Sequence, residues 1–315
     1  MTPSPTPRSP RVRLLRAVRW IVPIGLGAWI AWRIDLDDVW SRISDLSVGW
    51  LVVALLLFAA SLWVRIVRWG LILKYLGVPK GPVFRSFALD FAGSALVGEA
   101  VGGVARLVDF RKTEADLGTV SYALVLDKAY EVMILIVLLV PAIVLLPAGA
   151  LQVGPGFLIL VGVGLFATGA LPFTPIGERA VRAVARRVLK SETDDNAFAR
   201  LGAGHHVLLL AQSLFARLVH FGFAWMLAKS LAVTISYADM SAVMAIVGFV
   251  VMVPITIGGL GTRDATMIWL FGILGLAAGG AAGTSILIFV ITLVFRLLAG
   301  LIWAASKPKP IEVGA

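Results

Sequence analysis

The sequence predicts an all-α polytopic membrane protein, on three observations. Of 315 residues, 59% are hydrophobic and 15% charged, where a soluble domain carries about a quarter charged residues. The mean hydropathy is +0.95. Apolar runs near the roughly 20 residues that cross a bilayer recur along the whole chain, and they are continuous rather than alternating. Backbone groups in lipid must be satisfied within the structure, so these runs read as helices and a β-barrel is excluded.

The elements follow in order. Residues 1–19 carry Pro3, Pro5, Pro7 and Pro10, then Arg8, Arg11, Arg13, Arg16 and Arg19 with no acid, and read as a disordered basic cytoplasmic segment. Residues 20–305 read as one transmembrane domain. Its first candidate span, Trp20 to Trp32, lacks a small-x-small cleavage site, so it is expected as an uncleaved helix rather than a signal peptide. The loop Asp35 to Ser47, with four aspartates and one arginine, suits the outside. Trp50 to Leu73 then returns to Lys74, Lys80 and Arg85. Val120 to Leu146 and Gly156 to Leu171 cross out and back, ending at a basic connection, Glu178 to Arg200, with six Lys or Arg. His206 to Leu227, Ser241 to Pro254, Ile268 to Ala282 and Ser285 to Ala304 complete an expected seven to nine hydrophobic segments, with residues 306–315 as a short cytoplasmic tail.

For both basic stretches to be cytoplasmic, Phe84 to Lys112 must enter and leave on one side as a re-entrant hairpin. Its apolar part breaks at Gly98, Gly102 and Gly103, which suits that path.

The chain also repeats itself. Ser61 to Gly70 reads SLWVRIVRWG and Ser213 to Gly222 reads SLFARLVHFG, five of ten positions identical at an offset of 152. The break at Gly102-Gly103 with Arg106 is answered by Pro254 and Gly258-Gly259-Leu260-Gly261-Thr262-Arg263 at an offset of 156. An odd number of crossings between the copies predicts an inverted repeat, with halves at about 48–172 and 205–305. Broken helices at corresponding places point to a translocation site near the midplane; glycine-mediated packing is the competing reading.

Charges accompany the breaks. An Asp, Lys or Arg at the centre of a membrane helix costs roughly 2.5 to 3.5 kcal/mol to insert, so it pairs or lines a polar cavity. Arg65 and Arg68 share a helix face at i, i+3, Arg217 and His220 repeat that spacing, Lys128 can reach Glu131 beside Asp127, and Arg296 stands in the last helix. Lys128 and Glu131 are equally a structural ion pair or substrate ligands. Arg68 is expected to snorkel to the interface. Arg65, Arg68, Arg106, Lys128, Arg217, Arg263 and Arg296 outnumber Asp90, Glu99, Asp127, Glu131 and Asp264, a sign that suits an anionic group in guanidinium forks.

Other chemistries lack their signals. No phosphate loop, GxSxG elbow or zinc spacing is present; His205, His206 and His220 have no ligand set, and a glycine run at Gly162 falls mid-membrane without a strand. No cofactor, metal or catalytic residue is expected. The net charge of +10 clusters beside apolar runs, so orientation explains it and a nucleic-acid partner is not expected.

The runs RIVRWGLILKYLGV, FRSFALDFAGSALVGEAVGGVARLVDFRK and VPITIGGLGTRDATMIWLFGILG, with Asp127-Lys128 and Arg296, resemble the lysylphosphatidylglycerol synthase transmembrane family over about Trp50 to Trp303. The resemblance implies a flippase-like, inverted-repeat domain of a bacterial cell membrane that moves a lipid between leaflets. Carried over by position, the lipid-pathway residues are Arg65, Arg68, Gly102, Gly103, Arg106, Asp127, Gly258, Gly259, Gly261, Arg263, Asp264 and Arg296. The chain ends at Ala315, so the soluble aminoacyl-transfer domain, and lipid synthesis with it, is not expected. In the first break Val97-Gly98-Glu99 stands where relatives often have proline. The expected function is therefore translocation of an anionic or aminoacylated phospholipid or an isoprenoid phosphate, alongside a separate synthase or a second copy. The alternatives are a lipid-modifying enzyme using Asp127, Glu131 or Glu99 as base, or a non-transporting synthase subunit.

Overall fold

A computed structural model of the chain describes residues 36–78, 82–97, 99–111, 113, 115–147, 170–189, 201–252 and 261–306. The candidate span Trp20 to Trp32, nearly all of Gly156 to Leu171, the N-terminal segment, the tail beyond Ser306, and Gly98, Pro254, Gly258 and Gly259 lie outside the described residues. Within them the chain forms α1 (Leu36–Ser44), α2 (Val48–Tyr75), α3 (Val83–Val97), α4 (Glu99–Phe110), α5 (Leu117–Leu145), a 3-10 turn (Leu171–Phe173), α6 (Pro175–Leu189), α7 (Ala203–Ser230), α8 (Tyr237–Met252), α9 (Thr262–Ile273) and α10 (Ala278–Ala305). The loop Asp35 to Ser47 and the basic connection thus contain helices, α1 and α6, that a search for long apolar runs passes over.

Among the described residues four helices, α2, α5, α7 and α10, are long and apolar enough to cross a membrane. At 28 or 29 residues each spans about 42 Å, more than the roughly 30 Å of a hydrocarbon core. Their apolar residues point outward as well as inward: Trp63 is 61% exposed, and Ile286, Val290, Val294, Leu297 and Leu301 form an exposed stripe on α10. Water would oppose that surface and lipid accepts it. Asp116 caps α5, accepting from the Gly118 and Thr119 amides at 3.0 and 2.8 Å, and so satisfies two of the four free N–H groups of that end.

The two SLxxR helices, α2 and α7, pack along their whole length and run antiparallel. Ser47 N donates to Ser230 O at 2.9 Å near one end, the Phe58 and Phe223 rings meet at 4.7 Å in the middle, and Tyr75 stacks on His205 at 4.1 Å at the other end. Phe295 adds an edge-on contact to Phe58 at 4.9 Å, so the aromatic core sits where α2, α7 and α10 cross.

Helices α3 and α4 form a hairpin. A methyl at Gly93 would lie 3.8 Å from Ala105 Cβ, and the open end is closed by Arg85 Nε donating to Asp109 Oδ1 at 2.9 Å. Both ends of the hairpin therefore return to one end of the bundle. Arg85 Nη1 also donates to Trp303 O at 3.1 Å and Trp303 Nε1 to Asp109 Oδ2 at 3.0 Å, so the C-terminal end of α10 lies there too.

The helices fall into two sets of similar lengths, α2 to α5 with 28, 15, 12 and 29 residues and α7 to α10 with 28, 16, 12 and 28. Contacts follow the same exchange: α3 rests on α10 and α8 on α5, through Gly300 against Ala92 and Gly248 against Leu135.

Two sequence readings change. Ile268 to Ala282 is not one span, because α9 ends in a turn with Gly275 at φ 71° and Leu276 N bonded back to Phe271 O at 2.8 Å. Gly102 and Gly103 are not the break itself; they lie inside the first turns of α4, where the backbone is helical, and a methyl at Gly103 would meet nothing within 4 Å. Gly261, by contrast, sits at φ 82° at the start of α9, a left-handed conformation that favours glycine. The helix ends offer a second register for the expected repeat. Aligning the helix ends, Val48 with Ala203 and Tyr75 with Ser230, pairs Arg65 with His220 rather than Arg217. That is a slip of three residues, about 4.5 Å along the axis and about 60° around it.

Candidate functional site

The charged residues of α2, α3, α4 and α5 converge on a ladder of alternating sign. Glu131 of α5 accepts at Oε1 from Arg65 Nε at 2.9 Å and from Arg68 Nη2 at 2.8 Å. Arg68 Nε donates to Asp127 Oδ1 at 2.9 Å, and Arg106 Nη1 to Asp127 Oδ2 at 2.9 Å. Arg106 Nε closes the ladder on Asp90 Oδ2 at 2.7 Å. Lys128 reaches Glu131 Oε2 at 3.3 Å, the i, i+3 pair that the sequence predicts.

Helix geometry explains the convergence. Arg65 and Arg68 lie on one face of α2, and Asp127 and Glu131, four apart, lie on one face of α5. The hairpin brings Asp90 and Arg106 together although 16 positions separate them. The Trp69 and Phe87 rings both lie against the Arg106 guanidinium, 4.6 and 5.0 Å from their ring centres, and the Trp69 indole is itself fixed by donating to Ser86 Oγ at 3.1 Å.

Arg68 is 1% exposed and Arg106 0%, so the expected snorkelling of Arg68 does not occur. Its fork instead binds three partners, the third being Ser213 Oγ of α7 at 2.8 Å from Nη1. A buried guanidinium is tolerable here because charged acceptors surround it.

The ladder opens at one side. A narrow indentation there, with room for about one water molecule, is lined by Arg65, Phe87, Asp90, Phe91, Ser94 and Lys128. Its two cations are the least covered of the ladder, with side chains 25% and 33% exposed. Cations beside aromatic walls can hold an anionic group whose remainder is apolar.

Of the other predicted site residues, Arg217 of α7 is half-buried and near enough to act electrostatically on Glu131. Arg296 stacks over Phe91 at 5.5 Å, behind the crevice. Arg263 and Asp264 form a separate cluster at the start of α9. Arg263 donates to Asp264 Oδ1 and to Ser285 Oγ of α10, both at 2.9 Å, and Ser285 Oγ donates to the same Asp264 oxygen. Asp264 Oδ2 accepts from the Gly261 amide at 2.9 Å, which caps the helix.

Sequence reasoning left Asp90 out of the site and gave Ser213 and Ser285 no role. Asp90 carried a signal, an acid on the opposite side of a glycine break from Arg106. Serines in membrane helices are too common to carry one.

The fold and this ladder define a multi-pass helical membrane protein that keeps paired charges inside its bundle beside a small amphiphilic opening. The chain belongs to the family described as lysylphosphatidylglycerol synthase TM region, whose match runs over residues 17–300. No curated protein matches the chain.

Proposed function

We propose that the protein is a lipid translocase that moves an anionic or aminoacylated phospholipid, or an isoprenoid phosphate, between the leaflets of the cell membrane. The observation that carries this reading is the crevice: Arg65 and Lys128 stand at its opening, Phe87 and Phe91 form its wall, and the closed ladder lies behind it. Two cations favour a phosphate and an aromatic wall favours the apolar part of a lipid; the opening is narrow, so in this reading it widens to admit the headgroup.

The same geometry disfavours Asp127 and Glu131 as the base of the enzyme reading; the Glu99 side chain lies outside the described residues. Both oxygens of Asp127 accept from guanidinium groups and both oxygens of Glu131 face cations. A general base must take a proton from the substrate, and here each oxygen already faces a cation that competes with that proton.

An inverted repeat supports translocation, because it lets one path be offered to either leaflet in turn. The antiparallel pair α2 and α7, the matched helix lengths and the exchanged contacts support such a repeat, with halves at about 48–172 and 205–305. In this reading the α3 to α4 hairpin is re-entrant, the N-terminus is cytoplasmic, and a separate synthase or a second copy is the partner.

Purified protein in liposomes with fluorescent lipids of different headgroup charge tests this. Exchange of anionic lipid between leaflets should fall about tenfold or more in Arg65→Gln and in Lys128→Gln. Equal rates for anionic and zwitterionic lipids, unmoved by either change, would make these cations structural and the substrate assignment wrong. No exchange of any lipid by the wild-type chain would favour the synthase-subunit alternative.

A further inference from the structure

At the end of the α2 and α7 pair opposite the ladder, Lys229 lies between two indoles, its Nζ 4.4 Å from the Trp225 ring centre and 5.1 Å from that of Trp50. Trp225 is held in place by donating its indole N–H to Ile235 O at 2.9 Å and by an edge contact with Tyr237 at 5.6 Å. Among the described residues no carboxylate lies within ion-pair distance of Lys229. The acid on the following helix, Asp239, accepts instead from Ser236 Oγ at 2.7 Å.

The surrounding backbone repeats an arrangement found at the other end of the bundle. Lys229-Ser230-Leu231-Ala232-Val233 matches Lys74-Tyr75-Leu76-Gly77-Val78 in sequence and in its cap. Ala232 N bonds to Lys229 O at 3.1 Å and Val233 N to Ala228 O at 3.0 Å; Gly77 N bonds to Lys74 O at 3.1 Å and Val78 N to Leu73 O at 2.9 Å. One lysine thus stands in the same frame at each face of the bundle.

We infer that Lys229, with Trp50 and Trp225, is a docking point for the phosphate of a membrane lipid in the leaflet opposite the one nearest the ladder. Tryptophans concentrate at the level of lipid headgroups, so a lysine held between two of them is presented at phosphate depth. In the proposed orientation this is the outer face, where the positive-inside tendency disfavours lysine, so orienting the chain does not account for it.

A cation in the last turn of a helix does gain stability from the helix dipole. That gain needs neither the two indoles nor a ligand. Docking at Lys229 is separate from the proposed translocation, because lipid binding is read without transport.

The test uses the full chain in a neutral detergent and counts retained lipids by native mass spectrometry, with phosphatidylglycerol as probe and a galactosyl diacylglycerol as the phosphate-free control. Wild type should retain one more phosphatidylglycerol than Lys229→Gln, whose affinity at that position should be about tenfold weaker. Lys229→Arg should retain the lipid, and the galactolipid should not be held. Equal retention of phosphatidylglycerol by wild type and Lys229→Gln would overturn the inference and leave the lysine as a helix-end charge. Equal retention of the galactolipid would remove phosphate from the recognition. Displacement of the lipid by millimolar inorganic phosphate in wild type but not in Lys229→Gln supports a phosphate contact, whereas binding of inorganic phosphate with no lipid retained overturns the lipid as its source. Should Lys229→Gln not fold, Trp50→Phe serves in its place and must weaken the same lipid about threefold; unchanged binding there equally overturns the inference.

Discussion

Arg68 joins three helices by itself, since its three donors reach Asp127 and Glu131 of α5 and Ser213 of α7 from a position on α2. Removing such a group leaves carboxylates in a low-dielectric interior with fewer counter-charges, a change worth about 3 to 5 kcal/mol when one partner of a buried pair is lost. Arg68→Ala should therefore lower thermal stability in detergent by several kcal/mol. Arg68→Lys should lose about 1.5 to 3 kcal/mol, since a point charge keeps the sign but cannot hold the fork's three directions at once. Equal melting temperatures for wild type and Arg68→Lys would mean that charge alone, not geometry, holds the ladder. The charged residues of this site were legible in the sequence because membrane helices so rarely carry them, and so was the reach of Lys128 to Glu131, which helical spacing dictates. The partners of Arg68 and Arg106 were not legible: which helices face each other is set by tertiary packing, and Asp90 meets Arg106 only because the chain turns back between α3 and α4.

Between elements, the information lies in caps and close approaches. Gly77 ends α2 at φ 73°, and Ala232 ends α7 in the same left-handed region at φ 55°. A side chain in that region costs about 1 kcal/mol relative to glycine. Ala232→Gly should accordingly stabilise the protein by about that amount and Gly77→Ala should destabilise it by a similar one, both read from thermal unfolding; no response at either position would mean that the turns do not need this conformation. The turn after α7 then presses on α10, where a methyl at Gly280 would meet Val233 Cγ2 at 2.8 Å. Gly280→Ala is expected to cost about 1 to 3 kcal/mol by overpacking, and Val233→Ala in the same chain should recover most of it. The SLxxR match picks out two helices that pack together, α2 and α7, in a register three residues away from the one their ends give, since five identities in an apolar ten-residue window do not fix a register. The shared cap, Lys-x-Leu-(Gly or Ala)-Val, carries the register of the helix ends. It is short and lies just past the apolar runs, where a reading led by hydrophobicity stops.

For the whole molecule, the contacts sort the helix ends into two faces before any rule about charge is applied. The clasp of Arg85, Asp109 and Trp303 gathers the open end of the hairpin and the end of α10 at one face. Tyr75 with His205 adds the end of α2 and the start of α7, and Phe173, on His206 at 5.6 Å, brings the chain leading into α6 there. The opposite face holds the turn after α7, pressed on Gly280, and α1, whose Val39 packs with Ala282. The basic residues Lys74, Arg85, Arg111 and Arg179 all belong to the first face, which is the cytoplasmic one in the proposed orientation. The chain contains no cysteine, so single cysteines can be read without background. Placed at Arg111 and Arg179, both exposed, they should be shielded from an impermeant maleimide in intact cells and react once the cells are opened. Placed at Trp40, which is 72% exposed, and at Thr234, they should react from outside at once. Reaction of all four in reverse would invert the protein as a body and leave the two faces intact. Reaction at Arg111 but not at Arg179, or at Trp40 but not at Thr234, would separate residues that the contacts hold at one face. Either split would remove the re-entrant hairpin or the inverted repeat, and with it the path by which the crevice could serve both leaflets.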